Sequence, residues 1–459
     1  MTGAYLITYG YTVLMLLVVI IVAFAIAHAP FIRRFYLPAS LVAGLLLLIL
    51  GPQVAGVYFP DWQLSHVFYD IWQPLPSVLI NVVFACLFLG HPLLSLKKIW
   101  RLSGAQIAFG QMIAWGQYLM GGLVTLLVLI PLFHVPQITA SLLEASFEGG
   151  HGTVAGLRAV FSSYNFLSGQ AMANGLATAS LITALIVGVI IINWGKKQGH
   201  LRPASFAMSA KDRFYYYTLV HDIHKKGLVL REKHLTPFKF GRHLLLVGVA
   251  IAFGLAIRQI LMWIEMPFGI KFFAYMPTFP MCMFGGLIVN YLCMKFKIHI
   301  SHTANNMIST ISLGVLIMTA IGTMSLSFFG DAGGTSTFII LYLTGALWIM
   351  FSALFLARKM YKRYWFQNMI ISFGQAMGMT ATGLLFAQMT DPKNRTSAVD
   401  AFGYKQLLFE PFMGGGLITA ASIPIIVSIG LPLFTIICGV LTIGWMLAGL
   451  FYFGKKQEI

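Results

Sequence analysis

Two glycine-broken strings hold the residues best suited to chemistry. The first is Ser146-Phe147-Glu148-Gly149-Gly150-His151-Gly152-Thr153, and the second is Ser372-Phe373-Gly374-Gln375-Ala376-Met377-Gly378-Met379-Thr380-Ala381-Thr382. Glycine lacks a Cβ, so the backbone can approach a ligand closely and take φ > 0. Exposed N–H groups at the N-terminus of a half-helix favour a carboxylate. Freed carbonyls at a half-helix C-terminus favour sodium. Thr153, Ser372, Thr380 and Thr382 add hydroxyl oxygens to that set. Asn81 and Asn174 supply amide oxygens inside apolar stretches, where structural hydrogen bonding is the competing reading. The combined chemistry is capture of a small anionic solute together with a hard cation. Catalysis has no comparable signal, since no HExxH, GxSxG or P-loop string occurs. The four cysteines, Cys86, Cys282, Cys293 and Cys438, sit in apolar runs without metal-ligand spacing and read as packing residues.

Charged residues near these strings carry alternatives. Glu148 fits a sodium ligand, a proton carrier or a counter-ion to a substrate ammonium, and also a glutamate facing a watery vestibule. Glu144 and Arg158 lie seven residues either side of His151. That spacing suits an ion pair across two arms of a hairpin, and Arg158 also suits a substrate carboxylate. His151 is either a proton carrier or a histidine bonded to loop backbone. Glu410, ahead of Pro411 and Gly414–Gly416, reads as an interfacial helix start or as a site residue. Arg258 reads as a snorkelling cation.

The elements that must position these residues follow from composition. Of 459 residues, 58% are hydrophobic and 9% charged, with a mean hydropathy of +0.83. A soluble domain is about 45–50% apolar and about 25% charged. This excludes a soluble enzyme, a disordered chain and a nucleic-acid-binding domain. Membrane spans are expected at about 5–28, 37–53, 75–93, 104–133, 170–195, 243–264, 274–294, 306–328, 335–357, 408–430 and 432–454, and the Trp and Tyr residues at 58–73 suit an interfacial belt. All 30 Lys and Arg except Arg158, Arg258 and Lys271 then fall on one side, so the net charge of +17 reports orientation. The N-terminus is expected outside, with the C-terminus and the basic segment 196–242 in the cytoplasm.

Stretches 138–165 and 366–392 are apolar but broken by Gly. The charge order makes each re-enter from one side and return to it, and irregular backbone survives at that depth only within protein or a watery cavity. The two strings lie 226 residues apart. Leu37-Pro38-Ala39-Ser40, with Gly44, likewise resembles Met276-Pro277-Thr278-Phe279, with Gly285. The expected fold is an all-α polytopic membrane protein. It comprises two inverted repeats, 1–195 and 243–430, each of five transmembrane helices plus a re-entrant hairpin. Segment 196–242 links them, and one additional C-terminal helix occupies 431–459. Paired broken segments in inverted repeats point to a secondary transporter with its site near the midplane. A channel would want a continuous polar lining, which the sequence lacks. A membrane enzyme has only His151 and Glu148 in its favour.

At Ser146–Thr153 and Ser372–Thr382 the sequence resembles the bacterial sodium/glutamate symporter family, and the similarity in layout covers residues 1–430. Gly149-Gly150-His151-Gly152-Thr153 is the most specific element. Ala376, Glu148, the long basic linker and the eleventh span are departures. The resemblance implies sodium-coupled uptake of glutamate, or a related anionic amino acid, across the bacterial inner membrane by a homodimer with a moving transport domain. It implies no cofactor beyond the coupling sodium. A different organic solute, or proton coupling, is the competing reading. The expected substrate residues are Glu148, Gly149, Gly150, His151, Gly152, Thr153, Arg158, Ser372, Gly374, Gln375, Ala376, Met377, Gly378 and Thr380. The expected sodium ligands are Glu148, Thr153, Asn81, Ser372, Thr380 and Thr382.

Overall fold

The computed structural model describes residues 2–29, 38–59, 61, 63–90, 96–201, 236–268, 273, 276–330, 332–361, 363–391, 396 and 398–454. Most of the expected linker 196–242 and the end of the C-terminal tail therefore lie outside the described residues. Among the described residues the regular structure is helical, without a strand. The first part of the chain forms α1 (Thr2–Ala27), α2 (Ala39–Ile49), α3 (Ala55–Tyr58), α4 (His66–Trp72), α5 (Leu75–Cys86) and α6 (Leu96–Val124). A π-helical stretch, Thr125–Leu129, carries α6 into α7 (Ile130–Phe133). The first broken stretch follows as α8 (Leu142–Phe147), α9 (Gly150–Gly156) and α10 (Arg158–Ser163), before the long α11 (Leu167–Lys197).

The second part forms α12 (Pro237–Glu265), α13 (Phe279–Lys295), α14 (His302–Gly322) and α15 (Ala332–Phe351). Another π-helical stretch, Ser352–Leu356, leads into α16 (Ala357–Met360). Then come α17 (Trp365–Thr390), α18 (Ala398–Phe409), α19 (Leu417–Ile429) and α20 (Leu431–Leu447). Local chemistry sets several of these ends. Pro237 sits in the first turn of α12, where its missing N–H costs nothing, and the Thr236 hydroxyl accepts from Lys239 N–H at 3.4 Å. Ser301 caps α14 by accepting from Ala304 N–H at 3.3 Å. Gly430, at φ +80, separates α19 from α20.

Nine helical runs among the described residues are long and apolar enough to cross a membrane, and Ala39–Ile49, Phe279–Lys295 and Leu417–Ile429 are shorter apolar helices. The structure corrects several expected boundaries. The span at 75–93 has its helix end at Cys86 and is extended instead by α4 ahead of it. The expected span 408–430 starts at the very end of α18, runs through a glycine-rich loop, 410–416, and is helical again only over α19. Trp72, placed by sequence in an interfacial belt, is fully buried and lies against Phe68 and Tyr69. The four cysteines are free and buried, as packing residues are expected to be.

Buried apolar side chains fall into a large cluster and smaller ones. The large cluster contains both glycine-broken strings, with Phe147, Val154, Phe373 and Met377 packed among residues of α6, α11, α15 and α20. α1 and α2 share a second cluster with Trp72 and Met318. α12 and α13 share a third with the end of α5. The broken segments are thus held by the most deeply packed helices, while α1 and α12 stay peripheral. The outer face of α12 leaves Leu245, Trp263 and Ile264 exposed, which suits contact with lipid tails.

Candidate functional site

Both glycine-broken strings interrupt a helix where the sequence places the break. In the second, the helical run of α17 is interrupted at Gly378 (φ −152, ψ 28) and Met379 (φ 63, ψ 172). The chain folds back there. A Cβ built on Gly374 would lie 3.0 Å from the Gly383 Cα, and one on Gly383 would lie 2.8 Å from the Ile371 carbonyl oxygen. Nine residues of continuous helix would hold Gly374 and Gly383 about 13 Å apart. Only residues without a Cβ let the two arms approach so closely. In the first string, Gly150 takes φ +70 at the start of α9, just after the end of α8. The breaks meet: a Cβ on Gly150 would stand 3.2 Å from Met379 Sδ and 3.6 Å from Met379 Cβ. Around this junction Gly149, Met379 and Thr380 are half-buried and Ala381 is exposed, so the meeting point reaches the protein surface.

A polar network surrounds the junction. The buried Lys405 Nζ, on α18, donates to Gln375 Oε1 at 2.6 Å. Gln375 Nε2 donates to Gln406 Oε1 at 3.2 Å. Gln406 Nε2 donates to Thr380 Oγ1 and to Glu410 Oε1, each at 2.8 Å. The Thr380 hydroxyl donates to the same Glu410 oxygen at 2.6 Å. On the other side, Glu144 receives the Tyr118 hydroxyl at 2.6 Å, the Gly414 N–H at 2.7 Å and the Thr419 hydroxyl at 2.9 Å. Gln117 Nε2 donates to the Ala376 carbonyl at 3.1 Å and ties α6 to the second break. His151 Nε2 lies 2.9 Å from Thr178 Oγ1, whose proton goes to the Asn174 carbonyl, so the histidine is the donor of that pair.

Several buried polar atoms beside the junction have no hydrogen-bond partner among the described residues. They are both carboxyl oxygens of Glu148, Ser146 Oγ, His151 Nδ1, Asn174 Oδ1 and Gln117 Oε1. Unpaired buried polar atoms are costly and call for an explanation. Most of these are oxygen acceptors, the chemistry that suits a hard cation. The His151 Nδ1 lone pair accepts a hydrogen bond.

The structure gathers most of the residues singled out by sequence. Glu148, Gly149, Gly150, His151, Gly152 and Thr153 surround the first break, and Gln375, Ala376, Met377, Gly378 and Thr380 the second. Thr382 donates to the Gly378 carbonyl at 2.5 Å, and Thr153 donates to the Gly149 carbonyl at 2.9 Å. Gly374 serves the packing of the two arms. Other residues stand apart. Ser372 pairs with the Tyr361 hydroxyl at 3.2 Å, a turn and a half before the break. Asn81 lies on α5, where its amide donates to Ser77 and its oxygen faces the Cys282 thiol at 3.8 Å. Arg158 is half-buried at the start of α10. Glu144, expected to pair with it, is bound instead by residues far away in sequence. His151 bonds a side chain on α11 rather than loop backbone.

Three of the network's contributors, Lys405, Tyr118 and Gln117, carry no site role in the sequence reading, and a fourth, Glu410, carries it as one of two readings. Lys405, which the charge order places among the cytoplasmic cations, is fully enclosed at 1% exposure. Glu410, by sequence an interfacial helix start or a site residue, belongs to the junction network. Tyr118 and Gln117 passed as ordinary span residues. A signal for Lys405 does exist in the sequence. Phe402, Lys405, Gln406 and Phe409 form one stripe at helical spacing, and all four are buried.

A family model described as sodium/glutamate symporter matches residues 5–394. The match includes both glycine-broken strings and ends before α18. The comparisons with curated proteins and with solved structures returned no match.

Proposed function

Because the chain belongs to the sodium/glutamate symporter family, a family of integral membrane transporters and not of enzymes, we propose that it takes up glutamate, or a closely related anionic amino acid, together with sodium at the junction of the two breaks. The observation that carries this reading is the contact of Gly150 with Met379, ringed by buried oxygens that have no hydrogen-bond partner among the described residues. Half-helix ends at the breaks offer N–H groups to a substrate carboxylate and carbonyls to sodium. Glu148, which no donor holds, serves as a sodium ligand or as the partner of the substrate ammonium. Thr153, Thr380 and Thr382 are the hydroxyl ligands best placed for sodium. Asn81 and Ser372 support helices at a distance.

The proposal includes two inverted repeats, each with its re-entrant hairpin. The π-helical stretches Thr125–Leu129 and Ser352–Leu356 lie 227 residues apart, close to the 226-residue offset of the strings. Helix contacts are reciprocal as well: α2 packs on α14 while α13 packs on α5. Alternating access by an elevator-like motion is part of the proposal. α1 and α12 contribute no side chain to the cluster that holds both breaks, whereas α2 and α13 reach it through Leu41, Phe279 and Met283, so the unit carrying the breaks would move against α1 and α12. α20, through Phe434 and Cys438, belongs with the moving unit. A homodimer in the bacterial inner membrane, with the N-terminus outside and the 196–242 segment and C-terminus cytoplasmic, completes the proposal.

The test is uptake of labelled L-glutamate into tight proteoliposomes with an inward sodium gradient imposed and then removed. Uptake that collapses with the gradient supports the reading. Uptake indifferent to sodium, or driven by a proton gradient alone, refutes sodium coupling.

A further inference from the structure

We propose that Lys405 is a built-in cation, holding behind the second break a positive charge that a mobile sodium ion would otherwise have to supply. The inference rests on the reading of the two breaks as the transport site. It concerns a helix that lies beyond the residues matched by the family model.

The geometry around Nζ is that of an enclosed ammonium. Lys405 is 1% exposed. Its Nζ is 2.6 Å from Gln375 Oε1 and stands 4.1 Å above the centre of the Phe409 ring, with the Phe402 ring centre at 5.7 Å. An aromatic face attracts a desolvated cation. From the far side α6 closes in, since a Cβ on Gly110 would fall 2.5 Å from Nζ. One amide oxygen, two ring faces and a glycine backbone leave no opening for a solute carboxylate. The lysine is therefore not a substrate ligand.

Its role follows from the surrounding charges. The carboxyls acting on Lys405 through space are Glu148, at the first break, and Glu410, at the end of its own helix. Glu144 is near enough to Glu148 to repel it. Glu144 has three donors and Glu410 two, whereas Glu148 has none. Of these buried acids, Glu148 depends most on a cation nearby. Lys405 supplies a charge that cannot leave, and it is fastened to the second break through Gln375. A neutral residue at position 405 would leave Glu148 and Glu410 uncompensated, which is strongly destabilising in a buried site. Sodium, small enough to enter the vacated space, would then bind and restore the balance.

The test follows thermal stability of the purified full-length protein as sodium replaces choline at constant ionic strength. No glutamate is present. Lys405→Gln is expected to gain a saturable, sodium-selective rise in Tm at least threefold larger than that of the wild type. Lys405→Arg is expected to follow the wild type, and the double variant Lys405→Gln/Glu148→Gln is expected to show a sodium response no larger than the wild type's. A sodium response of Lys405→Gln equal to the wild type's, or one reproduced by potassium, overturns the proposal. If Lys405→Gln alone does not purify, the double variant decides. Purification with a sodium response no larger than the wild type's supports the proposal, and failure to purify marks Lys405 as packing and overturns it. Absence of glutamate uptake by the wild type, with this sodium pattern intact, would sink the substrate reading alone.

Discussion

Gly150→Ala tests the meeting of the two breaks with the smallest possible change. The residue sits at φ +70, a conformation costing an L-residue about 1–2 kcal/mol. The added methyl would also approach Met379 Sδ at 3.2 Å. A thioether side chain bends away cheaply, so backbone strain, not overlap, sets the magnitude. A cost of 1–2 kcal/mol lowers the population of the native junction about 5- to 30-fold relative to any relaxed alternative. The initial rate of sodium-driven glutamate uptake into proteoliposomes is expected to fall by that factor. Gly248→Ala on α12 is the control, because nothing lies within 4 Å of its new methyl. Alanine is also the better helix former there by about 1 kcal/mol. If Gly150→Ala transports as fast as Gly248→Ala, the junction is not the transport site and the reasoning fails.

Other variants probe the rest of the account. Glu148→Gln is expected to lose sodium-stimulated uptake while melting at or above the wild-type temperature, since it removes an unpaired buried carboxyl; retention of the wild-type sodium dependence would remove Glu148 from the site. Glu144→Gln places an amide donor where three donors converge, and a loss of about 1–3 kcal/mol should appear as a lower Tm. An unchanged Tm would contradict that hydrogen-bond set. Gly383→Ala drives a methyl to 2.8 Å from the Ile371 carbonyl, which cannot swing aside, and should destabilise the protein by about 1–3 kcal/mol. Asn81→Ala should leave the apparent affinity for sodium unchanged, because Asn81 faces Cys282 and not the breaks; a clear loss would return it to the sodium site.

Much of this was legible in the sequence because glycine acts locally. Gly150 and Gly378–Met379 break their helices where the strings place them, and apolar length located most of the long helices. What stayed hidden depends on distant partners. Glu144 was matched to Arg158 by counting along one hairpin, whereas its donors come from Tyr118, Gly414 and Thr419. Lys405 was assigned to a membrane flank because charge counting cannot tell a flanking lysine from one folded under a neighbouring helix. Its stripe with Phe402, Gln406 and Phe409 carried the information, but a short helix with Asp400 at its start does not look membrane-buried. Glu410 keeps two readings in the sequence for a related reason. The loop 410–416 resembles an interfacial turn until Gly414 and Gly415 are seen against Glu148 and Thr153.

The most direct test of the central claim joins the two breaks covalently. Gly150→Cys and Met379→Cys, in a background where Cys86, Cys282, Cys293 and Cys438 are replaced by Ala, would set two Cβ atoms about 3.6 Å apart, within the disulfide range of roughly 3.5–4.5 Å. The measurement is the rate of disulfide formation under mild oxidation, with sodium, glutamate, both or neither. The account expects rapid cross-linking in their absence and marked slowing when sodium and glutamate are present together, since both would occupy the junction. Rapid cross-linking that ignores the pair of solutes would contradict the claim that they bind between the two breaks.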